Sequence, residues 1–295
     1  MAVLETIELT KRFGNFTALN KVSMSVEEGE VYGFIGPNGA GKSTTIRLLL
    51  GMLRATSGQS TIFGMDAWKD AVEIHKRLAY VPGDVNLWPN LTGGEVIDLF
   101  TKLRGENVSN RRSEWLERFG LDPTKKCRTY SKGNSQKVAL VAAFSSNADL
   151  FIFDEPTSGL DPLMEKVFQE SVKELKREGK SIFLSSHILS EVERLCDKVA
   201  IIRQGEIIEA GTLDELRHLT RVHLVVQTRE PLTALHTMQG VHQINQTGNS
   251  CSFQVDADAM EHVMATINTF GIVSLESAPP TLEDLFMRHY EGADS

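Results

Sequence analysis

Nine residues limit what this chain can fold into. Gly36-Pro37-Asn38-Gly39-Ala40-Gly41-Lys42-Ser43-Thr44 follow an apolar run at 31–35 and open a helical pattern, which is G-x-x-x-x-G-K-[ST] in the strand-to-helix setting that gives it meaning. Glycines let backbone N–H groups turn inward around phosphate oxygens, and the first turn of the following helix adds positive potential. Lys42 brings a mobile cation to the outer phosphates, and Ser43 a hydroxyl for Mg²⁺. The expectation is a nucleoside triphosphate bound at the end of a buried strand, within an α/β sheet.

The rest of the chain supplies such a sheet. Short apolar runs at 31–35, 79–81, 150–153, 181–184 and 199–202 read as buried strands separated by helical patterns. Residues 4–9 and 22–26 alternate apolar and polar, as antiparallel strands at one margin do. Thr92-Gly93-Gly94-Glu95 has capping-box spacing, and Asp161-Pro162 opens a helix in which Leu163, Val167, Val172 and Leu175 recur until Gly179. Helix signals dominate from about 88 to 148, a helical insertion between two strands. A boundary falls in 211–221, giving domains at 1–218 and 219–295. The second reads strand (223–227), helix (232–238), strand (242–246), strand (251–255), helix (260–270), strand (272–276), the order of a small ferredoxin-like α+β module. Gly248-Asn249 is its hairpin turn, and Pro279-Pro280 precedes a last helix at 282–290.

Composition narrows the partners. The formal charge is −8, which argues against a broad nucleic-acid surface. From residue 220 onward three arginines face nine carboxylates. Cys127, Cys196 and Cys251 have no CxxC spacing and read as ordinary thiols of a reducing compartment. The histidines at 223, 236, 242, 262 and 289 lack metal-ligand spacing. The apolar run at 138–144 is far short of a membrane span, and no secretory signal opens the chain.

The run at 150–153 ends in Asp154-Glu155. A strand that ends in a carboxylate carries it to the edge where ligands of α/β sheets gather. There Asp154 is expected to hold Mg²⁺ through water, and Glu155 to polarise the attacking water. Downstream stand Pro156-Thr157-Ser158-Gly159-Leu160-Asp161 and Ser185-Ser186-His187, and upstream Tyr130-Ser131-Lys132-Gly133-Asn134 begins a helix.

Across residues 1–218 this ordered set resembles the ATP-binding cassette (ABC) ATPases, a P-loop NTPase fold. The resemblance implies a D-loop that includes Asp161, a switch histidine at His187, a signature sequence at Ser131, Lys132, Gly133 and Asn134, and an adenine-stacking aromatic at Phe13, twenty-three residues ahead of Gly36. It also implies ATP with Mg²⁺, and two protomers that close head-to-tail so that each nucleotide meets the cradle of one and the signature of the other. Two departures stand out. Tyr130, Lys132 and Asn134 replace residues of the usual Leu-Ser-Gly-Gly-Gln, and Gly83 stands where the family has glutamine. Asp84 is the candidate substitute toward Mg²⁺; the alternative is that the subfamily does without one.

One cassette with no membrane segment resembles a transporter's separate ATPase subunit. With the Tyr130-Ser131-Lys132-Gly133 signature and an acidic C-terminal module carrying Thr281-Leu282-Glu283-Asp284-Leu285-Phe286, the pattern resembles the subunits of drug and antibiotic exporters, which implies a homodimer peripheral on the cytoplasmic face through a separate integral-membrane permease. Residues 84–91 lie where such subunits form a cleft for the permease. Leu87 and Trp88 fit either anchors of that contact or packing against the helical insertion, whereas Trp68 and Trp115 read as packing. The alternatives are an ABC ATPase acting outside transport and a nucleotide-binding regulatory subunit with little turnover.

Overall fold

Strands with no polar position need cover on both faces, and the central sheet provides it. The computed structural model describes residues 2–105, 110–218, 221–278 and 281–283, divided into two units at Ala210/Gly211. The first carries β1 (Ala2–Phe13), β2 (Phe16–Glu27), β3 (Val31–Ile35), α1 (Lys42–Leu49), β4 (Ser57–Ile62), β5 (Met65–Asp66), α2 (Ala71–His75), β6 (Leu78–Val81) and α3 (Gly93–Leu103). It continues through α4 (Asn110–Arg118), α5 (Lys132–Phe144), β7 (Leu150–Asp154), α6 (Pro162–Arg177), β8 (Ser181–Ser186), α7 (Leu189–Leu195), β9 (Lys198–Arg203) and β10 (Glu206–Thr212), which runs across the divide.

Six strands form the central sheet in the order β10-β9-β3-β8-β7-β6. β3 pairs in parallel with β8 and β9, and β7 with β6 and β8. Every residue of β3, β7 and β8 is buried. A second sheet, β2-β1-β4-β5, is antiparallel, as the alternating segments predict. The β1–β2 hairpin is twelve residues a side, longer than the alternation suggests, because register shifts along it break the period-two pattern.

Between β6 and β7 lies the helical insertion. α3 begins on a complete capping box, in which Thr92 Oγ1 accepts from Glu95 N (3.1 Å) and Glu95 Oε2 accepts from Thr92 N (2.6 Å). α6 begins on Asp161, whose carboxylate accepts from Leu163 and Met164 N, with Pro162 at its first position. Its buried face is Met164, Phe168, Val172 and Leu175; Leu163 points outward, 67 % exposed, so the apolar stripe starts one residue later than expected. Trp115 is buried, but Trp68 is 46 % exposed, since it follows Asp66, whose carboxylate holds the turn through the Trp68 and Lys69 N–H groups.

The second unit carries α8 (Leu213–His218), β11 (Val222–Thr228), β12 (Val241–Thr247), β13 (Ser250–Val255), α9 (Met260–Thr269) and β14 (Ile272–Ala278). Its antiparallel sheet runs β12-β13-β11-β14, and Leu224, Val226, Phe253, Val255, Val263 and Ile267 form its core. The helix expected at 232–238 is a five-residue 3₁₀ turn, Thr233–Thr237. Leu232, Leu235 and Met238 recur every third residue, which matches three residues per turn rather than 3.6. The last predicted helix, 282–290, lies outside the described residues beyond 283, as do Pro279 and Pro280. All three cysteines are buried free thiols.

Phe144, at the end of α5, fixes the insertion to the sheet. Its ring lies 4.9 Å from Trp115, 5.8 Å from Phe119 and 5.6 Å from Phe153 on β7. Phe144→Ala should therefore destabilise the first unit by ~3–5 kcal/mol, read as a lowered urea midpoint in far-UV circular dichroism.

Candidate active site

The cradle forms where β3 runs out. The chain leaves the strand at Gly36 and turns, and Gly41 then caps α1 at φ +117°, a left-handed conformation that side-chain-bearing residues avoid. The cavity so made holds about 300 Å³ and is lined by Pro37, Asn38, Gly39, Gly41, Lys42, Ser43, Thr44 and Glu155, with Phe16 and Ala18 from β2. Gly36 and Ala40 are buried and do not line it. Lys42 is only 5 % exposed. Its Nζ donates to Gly36 O (2.7 Å) and Pro37 O (3.3 Å) and stands 3.4 Å from Glu155 Oε1. A buried ammonium must be met by acceptors, and the cradle meets it on both sides.

β7 delivers the carboxylates. Asp154 is buried and accepts a hydrogen bond from Ser185 Oγ of the adjacent β8. Burial, reinforced by the charge of Asp154, pushes the Tyr80 phenol on β6 up to about 12. Glu155 has φ +47°, an unfavourable left-handed conformation for a glutamate that persists only where the surrounding structure holds it. Its N–H donates to Ser185 O (2.9 Å), and its Oε2 lies 3.4 Å from His187 Nδ1. Glu155 thus stands between Lys42 and His187. His187 is 53 % exposed, open to a ligand from outside.

Mg²⁺ suits the donors on hand. No group of three His, Cys, Asp or Glu side chains fit to hold a metal occurs among the described residues. Mg²⁺ asks for less, since it is commonly bound by one or two carboxylates plus substrate phosphates and waters. Ser43 in the cradle and the buried Asp154 supply hard oxygens of that kind.

The other expected residues lie elsewhere. Phe13 is 48 % exposed with Lys11 Nζ 4.9 Å over its ring, and the aromatic that lines the cradle is Phe16. Asp84 is exposed in the loop after β6 and does not line the cradle. Gly83 sits against β7's end: a side-chain carbon there would stand 2.9 Å from Asp154 O, so this loop packs closer than a glutamine permits. Ser131 caps α5 and accepts from Asn134 N (3.3 Å). Lys132 Nζ donates to Ser158 Oγ (3.0 Å), and Gly133 lies so close to Gly159 that a side-chain carbon would meet its carbonyl at 2.5 Å. Tyr130 Oη donates to Asp122 O (2.6 Å). Ser131, Lys132, Gly133 and Asn134 do not line their own chain's cradle.

Two buried polar residues escape sequence reading. Gln136 on α5, 1 % exposed, donates to Pro156 O (3.0 Å) and Pro82 O (3.4 Å), tying the loop after β7 to the loop after β6. Glu191 on α7, 4 % exposed, accepts from Ser186 Oγ (2.9 Å) and Thr157 Oγ1 (3.4 Å). Their signal was a polar residue on the apolar face of a helix, one turn from Leu140 and Leu195 respectively.

Known proteins resemble this chain in both of its units. The family described as "ABC transporter" matches residues 19–158, and that described as "ATP-binding protein DrrA1-3-like, C-terminal domain" matches 211–290. The chain is 33 % identical to the bacitracin transport ATP-binding protein BcrA of Bacillus licheniformis, over 97 % of this chain and 96 % of that one. It is 31 % identical to the linearmycin resistance ATP-binding protein LnrL of Bacillus subtilis, over 97 % of each. A solved ATP-binding subunit of an ABC transporter superposes with TM-score 0.69 at 34 % identity, over 74 % of this chain and 92 % of that one. A dimeric ATP-binding cassette in a post-hydrolysis state, bound to ADP and Pi, shares the fold at TM-score 0.65 and 24 % identity, over 71 % of this chain and 98 % of that one.

Burial pushes the Glu191 carboxyl up to about 7, against the hydrogen bonds from Ser186 and Thr157, with Glu165 adding repulsion. A pKa raised on folding contributes stability below the unfolded value near 4.5 and loses it as pH rises through about 7. Glu191→Gln removes the titration, so the melting temperature of the variant minus that of wild type should increase between pH 5 and pH 8. The loss it spares is about 3 kcal/mol at full ionisation.

Proposed function

The chain belongs to the ABC transporter family of ATP-binding proteins, and from that premise we propose that it powers the export of an antibiotic or another hydrophobic drug through a separate membrane permease. ATP binding and hydrolysis are the family's activity. The observation that carries hydrolysis at this site is Glu155 held between Lys42 and His187. The exporter reading draws on relatives named for bacitracin transport and linearmycin resistance, matched along almost their whole length, and on the DrrA1-3-like domain. Those relatives favour transport over action on DNA or ribosomes, and the catalytic pair favours turnover over a purely regulatory subunit.

In the reaction, phosphate oxygens compete with Glu155 for Lys42. Lys42 moves from carboxylate to phosphate, which leaves Glu155 to accept a proton from the attacking water. The water oxygen bonds to the γ-phosphorus as the bond to the β–γ bridging oxygen breaks, giving ADP and phosphate. His187 hydrogen-bonds a γ-phosphate oxygen and steadies the charge there. Ser43 through its hydroxyl and Asp154 through water would hold Mg²⁺, which would supply charge neutralisation on the phosphates. An aromatic from the β1–β2 hairpin, Phe13 or Phe16, stacks on the adenine.

A second copy completes the site. Ser131 and Gly133 at the start of α5 do not line their own cradle, and the positive end of a helix favours phosphate. ATP is then the adhesive between two copies, each giving a cradle and a signature, and Asp161 follows the loop that meets the opposite copy.

The permease site is a groove of about 510 Å³ lined by Met52, Val72, Val85, Leu87, Phe100 and Leu103. Val72 and Leu103 are 75 % and 70 % exposed, and Trp88 extends the apolar surface, its ring 6.2 Å from Phe100. A short amphipathic helix fits such a surface through apolar anchors. No helix of the described residues is long and apolar enough to cross a membrane; the protein is read as peripheral, held on the cytoplasmic face by this groove.

Three outcomes test these roles. Glu155→Gln should retain ATP binding, lose at least ~100-fold in kcat and accumulate as a dimer on size-exclusion chromatography with Mg-ATP. A species that stays monomeric there argues against the two-copy mechanism. Lys42→Ala should instead weaken nucleotide affinity itself, seen by calorimetry. Val72→Glu should reduce capture of the cognate permease at least ~10-fold by co-purification, with an unchanged melting temperature.

A further inference from the structure

Two loops carry the hydrolytic pair, and a third element joins them. Glu155 sits at the end of β7, two residues ahead of Thr157, with Pro156 stiffening the step between. His187 follows Ser186, the last residue of β8. The carboxylate of Glu191 reaches both loops from beneath, and a single oxygen, Oε2, accepts from Thr157 Oγ1 (3.4 Å) and from Ser186 Oγ (2.9 Å). Ser186 Oγ in turn accepts from Ile188 N (3.0 Å), which fixes the turn containing His187. The other oxygen, Oε1, is buried without a hydrogen-bond partner.

This is a costly way to fill space. A carboxyl 4 % exposed, with one oxygen unsatisfied and Glu165 of α6 adding repulsion, lowers stability where an apolar side chain would raise it. Around it α7 packs by Val192 and Leu195, ordinary core residues. What the carboxylate alone provides is an acceptor shared by two loops whose next functional groups stand 3.4 Å apart, Glu155 Oε2 and His187 Nδ1.

We propose that Glu191 is a positioning residue for hydrolysis, fixing the separation of Glu155 and His187 through Thr157 and Ser186. The inference rests on the assignment of Glu155 and His187 to the reaction. Nucleotide affinity resides in the cradle, which Glu191 does not line, so its loss falls on turnover and leaves binding alone.

The test measures kcat and KM for ATP on the full chain with Mg²⁺. Glu191→Ala should lower kcat at least ~30-fold while KM stays within about threefold, and Glu191→Gln, which keeps one acceptor oxygen, should recover at least ~10-fold of that loss. In a His187→Ala background, Glu191→Ala should cost less than about threefold more, since the two act through one geometry. A Glu191→Ala protein within about threefold of wild-type kcat overturns the proposal. So does a KM that rises in step with the fall in kcat, or a Gln variant no better than Ala. Should the Ala variant not fold, Thr157→Val removes one of the two hydroxyls at nearly constant volume; it should lower kcat at least ~5-fold at constant KM, and unchanged kcat there is equally fatal. Glu155→Gln, run alongside, keeps the two failures apart. Retained turnover in Glu155→Gln overturns the catalytic assignment, whereas its loss together with a fully active Glu191→Ala protein overturns the positioning alone.

Discussion

A buried ammonium is the constraint around which this site is arranged. Lys42 cannot lie 5 % exposed among backbone carbonyls without a counter-charge, and Glu155 provides it at 3.4 Å. That single contact joins the start of α1 to the loop after β7, segments more than a hundred residues apart in sequence. Phosphate oxygens are acceptors of the kind a buried ammonium needs, so under the proposed reaction nucleotide binding and release of Glu155 from Lys42 would be one event.

The same economy runs through the other loops. Parallel strands β3, β7 and β8 end side by side, so the residues just beyond them meet without a dedicated scaffold. Ser185 accepts Glu155 N–H with its carbonyl and donates to Asp154 with its hydroxyl. Ser186 and Thr157 share the Glu191 carboxylate, and Ser158 takes the ammonium of Lys132. Hydroxyls recur because they accept and donate in the same place, which lets one short loop serve two neighbours. The positive φ of Glu155 is what such dense cross-linking can hold against strain of about 1–3 kcal/mol.

What could be read in the sequence follows from how local each requirement is. Phosphate binding needs contiguous backbone N–H groups, so residues 36–44 announce themselves, and two-sided burial makes β3, β7 and β8 unbroken apolar runs. The capping box at Thr92 and the Asp161-Pro162 helix start were legible because their partners lie within four residues. Gln136 and Glu191 were not, because their partners come from loops 20 to 54 and 5 to 34 residues away and only folding brings them together. The 3₁₀ turn at Thr233–Thr237 departs from the expected helix for a different reason. Over seven residues, apolar positions every third residue satisfy both periods, and only length separates them. Lys132 illustrates a third case: its charge suits phosphate, yet the nearest acceptor in its own chain is Ser158.

Gly83 stands where the resemblance implies a glutamine, and this chain sets the backbone of the loop directly against Asp154 O, with Gln136 donating to Pro82 O and Pro156 O at once. The same loop continues into the groove through Pro82, Val85 and Leu87. One buried amide thus ties a loop that lines the groove to the loop that follows Glu155, and because a buried amide left without partners costs stability, the two loops keep this spacing.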